Sequence, residues 1–156
     1  MKILVTECEG SAETAAVTMR YETTLRYQHV FGSISPFLEG LEHGVLRATR
    51  CETCLSTFFP PRPYCPEDLE ATVWYELPGT GIIATATRVH VPTTFVDIEP
   101  PYVLAILRLD GVDGSIMHHV LGQDVPQPGT RVRATSVGDN LRHPLLRVAF
   151  QIERTP

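Results

Sequence analysis

Residues 50–68 read RCETCLSTFFPPRPYCPED, and this stretch decides how the chain is expected to fold. Cys51 and Cys54 are separated by two residues on a short turn, so both sulfurs can reach one metal ion. Cys65 and Asp68 repeat this spacing, but a carboxylate stands where a fourth thiolate is expected. Zinc binds Cys sulfur and Asp oxygen alike, and structural zinc sites are almost always four-coordinate. We therefore predict a structural zinc ion bound by Cys51, Cys54, Cys65 and Asp68.

Other occupants of this site stay open at the level of sequence. Cys8 is a competing fourth ligand if the N-terminal arm folds back, because loop-closure entropy grows only slowly with length. The Cys pair could also be empty, or carry thiol–disulfide chemistry, which needs a helix N-terminus to lower the pKa of one thiol. The Pro-rich residues 60–63 predict no such helix. Three of the four cysteines lie within 15 residues at ligand spacing, which favours a metal over disulfides in a reducing compartment.

The bulk composition sets limits on the class of protein. The 156 residues are 43% hydrophobic and carry a formal net charge of −5, which is typical of a folded and mildly acidic protein. An acidic surface repels phosphate backbones, so nucleic-acid binding is disfavoured. No apolar run approaches the roughly 20 residues that span a bilayer, and the short apolar start does not resemble a signal peptide. We expect a cytoplasmic protein that does not enter a membrane.

The first half of the chain holds few regular elements. Residues 17–27 alternate polar and apolar side chains, which predicts one strand or an extended arm, and residues 10–16 are expected to form a loop. Ser35 is a favoured helix N-cap and Pro36 suits the first helical position, while Gly44 marks the end of that short helix. The segment from there to about residue 71 is rich in turns, Cys and Pro, and a piece so small needs a metal to hold its shape.

From residue 73 onward the pattern is that of short strands between Gly and Pro turns. Such spacing predicts a small closed barrel or a sandwich, so the fold class is mainly β. The predicted strands cover residues 74–77, 82–91, 102–109, 115–121, 131–137 and 145–152.

The ordered set of these motifs resembles the zinc-ribbon/OB-fold family known as domain of unknown function thirty-five. The motifs that carry the resemblance are Phe37 to Gly44, Arg50 to Cys54, Pro60-Pro61-Arg62, Cys65-Pro66, Gly79-Thr80-Gly81, Pro100-Pro101-Tyr102, Leu109-Asp110-Gly111 and Pro128-Gly129. The resemblance implies a helix with a rubredoxin-like zinc ribbon (residues 35–72) and a five-stranded OB-fold barrel (73–156). It does not cover residues 1–34, which we interpret as an N-terminal extension. Asp68 departs from the family pattern, which has a fourth Cys at that position.

The resemblance also implies a function. Members of this family are typically partners of thiolase-like enzymes, so we expect a non-catalytic subunit of a hetero-oligomer that supports acyl-CoA conversion. Catalysis would reside in the thiolase-like partner, and a CoA thioester would be bound through it. Two alternatives are an independent OB-fold binder of single-stranded nucleic acid, which would need a basic groove with stacked aromatic rings, and a stand-alone acyl-CoA-binding scaffold.

Three further features have both a functional and a structural interpretation. His118 and His119 are adjacent in a strand, so they point to opposite faces, and we expect one exposed and one partly packed imidazole without chemistry. The apolar residues 58–59 and 94–96 could form a docking patch or pack the ribbon against the barrel. Arginines of the barrel could grip CoA phosphates or could be ordinary surface cations; they are Arg88, Arg108, Arg131, Arg133, Arg142 and Arg147.

Overall fold

The structure, a computed structural model, describes residues 2–7, 17–22, 24, 28, 30–92, 98–138 and 144–153. The chain forms two compact units, residues 1–30 and 31–156. In the first unit, strand β1 (Lys2–Glu7) pairs antiparallel with β2 (Val17–Glu22). β2 lies where the alternating pattern predicts a strand, whereas β1 was not predicted. The predicted loop at residues 10–16 and the continuation of the pattern to Tyr27 lie outside the described residues.

The second unit begins with a short helical segment. A 3-10 turn (Gly32–Ile34) runs directly into helix α1 (Ser35–Glu42), so Ile34 is the N-cap and makes no side-chain cap hydrogen bond. The prediction that Ser35 caps the helix is therefore wrong, because the preceding turn moves the helix start one residue toward the N-terminus. Gly44 follows the helix with a φ of +71°, a conformation that favours glycine, as predicted.

A three-stranded ribbon sheet follows the helix. Strands β3 (Arg47–Arg50), β4 (Thr57–Phe58) and β5 (Val73–Glu76) are antiparallel in the order β4-β3-β5. The sequence placed the strand at residues 74–77 at the start of the barrel, but it pairs with β3 of the ribbon. The alternation of side chains along a strand does not specify which strand it will pair with. The pairing with β3 continues past the end of β5, because the backbone N–H of Leu77 donates to the carbonyl of Leu46 at 2.9 Å. The domain limits drawn from sequence remain a prediction.

The remaining five strands form a closed barrel, which confirms the predicted OB-fold architecture. They are β6 (Thr80–Val89), β7 (Tyr102–Leu109), β8 (Ile116–Val120), β9 (Arg131–Ser136) and β10 (Val148–Ile152). The order around the barrel is β10-β8-β7-β6-β9, and β9 closes back on β10. All these pairs are antiparallel except β10 with β8, which are parallel. A 3-10 turn (Pro144–Arg147) occupies the start of the predicted last strand.

The barrel interior is filled by apolar side chains, and α1 closes one part of the same core. The fully buried members include Ile83, Leu107, Val120, Val132 and Phe150, and the helix adds Phe37 and Leu41 to this cluster. A Cβ on Gly81 would lie 2.5 Å from the carbonyl oxygen of Arg108, so the β6–β7 approach requires glycine there. No helix in the described part of the chain is long and apolar enough to cross a membrane.

Candidate metal centre

The two Cys turns of the ribbon have the same backbone construction. The N–H of Cys51 donates to the carbonyl of Ser56 at 2.9 Å, and the N–H of Cys65 donates to the carbonyl of Glu70 at 2.8 Å. The residue four positions after each of these cysteines has a positive φ: Leu55 at 64° and Leu69 at 58°. The residues three positions after Cys51 and Cys65 are therefore equivalent. Asp68 occupies in the second turn the place that Cys54 has in the first.

These turns bring the four predicted ligands together. The Sγ atoms of Cys51, Cys54 and Cys65 and a carboxylate oxygen of Asp68 all lie within 4.8 Å of one another. Asp68 Oδ2 lies 3.2 Å from the Sγ of Cys51 and 3.4 Å from that of Cys65. The sulfurs of Cys54 and Cys65 are 3.6 Å apart, too far for a disulfide. Cys51 and Cys65 are buried while Cys54 is exposed. The arrangement forms a compact cluster at the surface of the ribbon.

The spacing of the cluster fits a tetrahedral zinc ion. With Zn–S bonds of about 2.3 Å and Zn–O bonds of about 2.0–2.2 Å, the edges of a regular tetrahedron measure about 3.8 Å for S···S and about 3.5–3.7 Å for S···O. Three of the pairs, at 3.6 Å for S···S and at 3.2 and 3.4 Å for S···O, are slightly shorter than these edges, and every pair lies within 4.8 Å. Small adjustments of the side chains would accommodate the ion, and the cluster is consistent with the structural zinc of a zinc ribbon.

The thiols and the carboxylate also affect one another's protonation. Hydrogen bonding to the Asp68 carboxylate raises the pKa of Cys54 to about 11. In return, the thiols of Cys54, Cys51 and Cys65 hold the pKa of Asp68 below its usual value. Zinc binds thiolates rather than thiols, so zinc binding would release the protons of these thiols.

Two threonines that the sequence did not single out hold the cluster to the rest of the fold. The buried Thr49 of β3 accepts from the N–H of Arg62 at 2.8 Å and donates to its carbonyl at 2.9 Å, so the Pro-rich link lies across the sheet. The N–H of Thr57 donates to Asp113 of the β7–β8 turn at 2.8 Å, and the Asp113 N–H donates back to Thr57 at 3.0 Å. Isolated threonines carry no recognisable signal in sequence, because their role depends on which chain segment lies opposite them.

The two adjacent histidines are both partly buried, so the prediction of one exposed imidazole is wrong. His118 Nε2 donates to the carbonyl of Leu145 at 3.1 Å, and its Nδ1 accepts from the N–H of His119 at 2.9 Å. The rings of His118 and His119 pack edge-on against Phe150 and Tyr102, respectively. Burial lowers the pKa of both histidines. These contacts indicate that both histidines have a structural role in the wall of the barrel.

Most of the barrel arginines lie in ion pairs with carboxylates of the same chain. The pairs are Arg131 with Asp110, Arg133 with Glu153, Arg147 with Glu42 and Arg88 with Asp124. Arg108 is exposed, and Arg142 lies outside the described residues. Four of the six arginines are therefore explained as surface cations that pair with carboxylates of the same chain.

The apolar pair at residues 58–59 divides between packing and the surface. Phe59 lies edge-on against Phe37, with ring centroids 5.6 Å apart, and joins the core of the helix and the barrel. Phe58 lies beneath the guanidinium of Arg62 at 5.4 Å. The other predicted patch, residues 94–96, and the alternative ligand Cys8 both lie outside the described residues.

Comparison with known proteins agrees with this construction. Residues 38–73 match the model of the rubredoxin-like zinc ribbon domain of ChsH2, and residues 74–137 match that of the C-terminal OB-fold domain of ChsH2. A DUF35 domain-containing scaffold protein of Methanocaldococcus jannaschii is 35% identical over 71 residues, which are 44% of this chain and 50% of the relative. The match thus spans about half the length of that curated relative.

Two solved structures share the fold. A chain of the Ltp2–ChsH2(DUF35) aldolase superimposes with a TM-score of 0.65 at 22% identity, covering 81% of this chain and 98% of that one. A DUF35-family protein of unknown function from Sulfolobus solfataricus gives a TM-score of 0.57 at 15% identity, covering 81% and 90%. At these identities the likeness establishes the fold. Since the two ChsH2 domain models follow one another directly and together match well over half of the sequence, this chain belongs to the ChsH2/DUF35 family of zinc-ribbon and OB-fold proteins.

Proposed function

We propose that the chain is a non-catalytic accessory subunit that docks on a thiolase-like enzyme and supports its conversion of an acyl-CoA. The observation that carries this proposal is the pair of ChsH2-type domains in tandem over residues 38–137. The shared fold with a chain of the Ltp2–ChsH2(DUF35) aldolase supports the same role, because that protein is itself named as an aldolase assembly. The CoA thioester would be held mainly by the partner.

The metal centre supports a structural role within this proposal. Cys51, Cys54, Cys65 and Asp68 would hold one zinc ion, which would clamp the two turns of a ribbon that has only a small core of its own. Four protein ligands would leave no coordination position for a substrate or for an activated water, whereas catalytic zinc sites keep such a position open. The proposed ion thus stabilises the fold of the ribbon and takes no part in the reaction.

The surface of the barrel does not favour the alternative of a nucleic-acid binder. Single-strand binders combine a basic groove with aromatic platforms. Here the outer face of β6, β7 and β8 carries the apolar side chains of Leu104, Ile106 and Met117 beside Thr85 and Thr87. Together with the net charge of −5, this composition fits contact with protein better than contact with phosphates.

The proposal is tested by purifying the affinity-tagged full chain from its native host in a zinc-containing buffer without chelator. We expect one thiolase-like enzyme to co-purify in a fixed ratio, and the reconstituted pair to act on acyl-CoA thioesters faster than the enzyme alone. The chain by itself should show no thiolase or aldolase activity. Full activity of the isolated chain would refute the accessory role. CoA affinity of the chain without any co-purifying enzyme would favour the stand-alone scaffold instead.

A further inference from the structure

The four clustered groups of the ribbon differ in their access to solvent. Cys51 and Cys65 are 0% and 1% exposed, whereas Cys54 is exposed and Asp68 is partly exposed. The cluster therefore faces solvent through the sulfur of Cys54 and the carboxylate of Asp68. Of these two groups, the sulfur is the one that peroxides oxidise. A small oxidant that arrives from solvent thus meets Cys54 as the first reactive group.

Cys65 supplies a second sulfur within reach of Cys54. The two sulfurs are 3.6 Å apart and a disulfide bond measures about 2.05 Å, so the atoms would have to approach by about 1.5 Å. Because Asp68 replaces the other thiol of the second turn, Cys65 can form a disulfide only with a cysteine outside its own turn. Oxidation of this pair would leave Cys51, whose sulfur lies 3.2 Å from Asp68 Oδ2, as the remaining thiol of the cluster.

Loss of these two sulfurs would leave too few ligands for a structural zinc ion. Closed structural sites have four protein ligands. Disulfide sulfurs are no longer thiolates, so only Cys51 and Asp68 would remain of the clustered groups. A ribbon with a small core depends on its metal. Oxidation of the pair would therefore both release the ion and lower the stability of the ribbon.

We propose that Cys54 and Cys65 are a peroxide-sensitive pair whose oxidation to a disulfide releases zinc from the ribbon. In the zinc-loaded chain Cys54 is a thiolate, the nucleophilic form of cysteine. This thiolate attacks one oxygen of hydrogen peroxide and the O–O bond breaks. Cys54 becomes a sulfenic acid, while the other oxygen takes up a proton and leaves as water.

The second step forms the disulfide. The Cys65 thiolate attacks the sulfenic sulfur of Cys54, and the displaced hydroxide takes up a proton and leaves as a second water. In total, the two thiolates lose two electrons and the peroxide is reduced to two molecules of water. A dithiol reductant reverses the reaction by thiol–disulfide exchange, so the pair is a reversible redox device. This inference depends on the metal centre and not on the proposed accessory role.

The test treats the reduced, zinc-loaded full chain with hydrogen peroxide in a buffer without chelator. A chromophoric indicator follows the released zinc, and alkylation of the remaining thiols before digestion identifies the disulfide. Chymotrypsin and a glutamyl endopeptidase together separate the three cysteines of the ribbon, because cleavage after Glu52, Phe58 and Tyr64 falls between them.

Two variants accompany the wild type. Cys54→Asp removes the exposed sulfur but keeps a zinc ligand, since Asp68 stands at the equivalent position of the second turn. Cys8→Ser is the control, because it removes the one cysteine that lies outside the cluster. The zinc content of each reduced variant is measured before peroxide is added.

We expect one zinc ion released per disulfide, a cross-link between Cys54 and Cys65, and a Cys51 that is still alkylated. Oxidation should move thermal unfolding to a lower temperature, and a dithiol with added zinc should restore it. Cys54→Asp should release zinc about tenfold more slowly than the wild type, whereas Cys8→Ser should stay within about twofold of it.

A disulfide between Cys51 and Cys54, a disulfide that includes Cys8, or oxidation that leaves the zinc bound would overturn the inference. Release of zinc from Cys54→Asp at the rate of the wild type would do the same. If Cys54→Asp binds no zinc, the disulfide map and the zinc release of the wild type decide by themselves. None of these outcomes involves the enzyme, so the accessory role stands or falls separately, by co-purification.

Discussion

Asp68→Ala is the substitution that tests the metal centre most directly. The second Cys turn repeats the backbone hydrogen bond and the positive φ of the first, which places Asp68 at the position of a ligand. Its Oδ2 atom lies 3.2 Å and 3.4 Å from two of the sulfurs. Removing the carboxylate leaves three thiolates, and a water molecule would have to complete the coordination. We expect weaker zinc binding and a less stable ribbon.

The magnitude follows from the usual energy of such sites. Structural zinc in zinc-finger peptides binds with an apparent free energy of about 10–16 kcal/mol. An equal share for one of four ligands is about 3 kcal/mol, on the order of a hundredfold in affinity. Because binding to the folded state stabilises it, a hundredfold loss of affinity lowers the free energy of unfolding by about 2.7 kcal/mol when free zinc far exceeds the dissociation constant.

The assay is competition for zinc against a chromophoric chelator at pH 7, followed by chemical unfolding with and without zinc. Glu67→Ala is the matched control, because Glu67 is an exposed carboxylate in the same turn and is not one of the clustered groups. If Asp68→Ala and Glu67→Ala bind zinc as tightly as the wild type, Asp68 is not a ligand. In that case Cys8→Ser should show the loss instead, whereas on the present reasoning Cys8→Ser leaves the zinc affinity unchanged.

Three further predictions concern the barrel. Phe150 is only 1% exposed, so Phe150→Ala should lower the free energy of unfolding by about 3–5 kcal/mol in denaturant titrations. Ile152 is 41% exposed, so Ile152→Ala should lower it far less, and similar losses for the two variants would contradict the described core. Burial lowers the pKa of His118, so below about pH 6.5 the unfolded chain binds more protons than the folded one, and the free energy of unfolding decreases as the pH decreases. His118→Gln should make this decrease between pH 7.5 and pH 5 smaller, and an unchanged decrease would contradict the role given to His118. Asp110→Asn should cost about 0.5–1 kcal/mol at pH 7, because the pair with Arg131 is largely solvent-exposed. The Arg131 hydrogen bonds lower the pKa of Asp110, so this difference should vanish as pH falls through that pKa, and a difference that persists at pH 2 would refute the assignment.

Local chemistry made much of the architecture predictable. The Cys and Asp spacing indicated the four clustered groups, because two ligands on a tight turn must lie close together wherever the turn is placed. The strand expected at residues 102–109 is β7 over the same residues, since an apolar run between a Pro pair and an Asp-Gly turn has few other conformations. Gly44 ended the helix as predicted, because its positive φ suits glycine.

The wrong predictions share a physical cause. Whether Ser35 caps α1 depended on the turn before it, and the burial of His119 depended on Tyr102, which lies on a different strand. β5 has the composition of a barrel strand, but its hydrogen bonds go to β3. In each case the deciding group is distant in sequence or belongs to the backbone.

The sequence by itself predicted the family, the four groups that cluster in the ribbon and the mainly β class, because these depend on residue types at short spacing. Only the tertiary structure decided which strand belongs to which sheet and that four of the barrel arginines are paired with carboxylates. Pairing of strands and of charges joins groups far apart along the chain, and alternation within one strand carries no information about the neighbour it will meet.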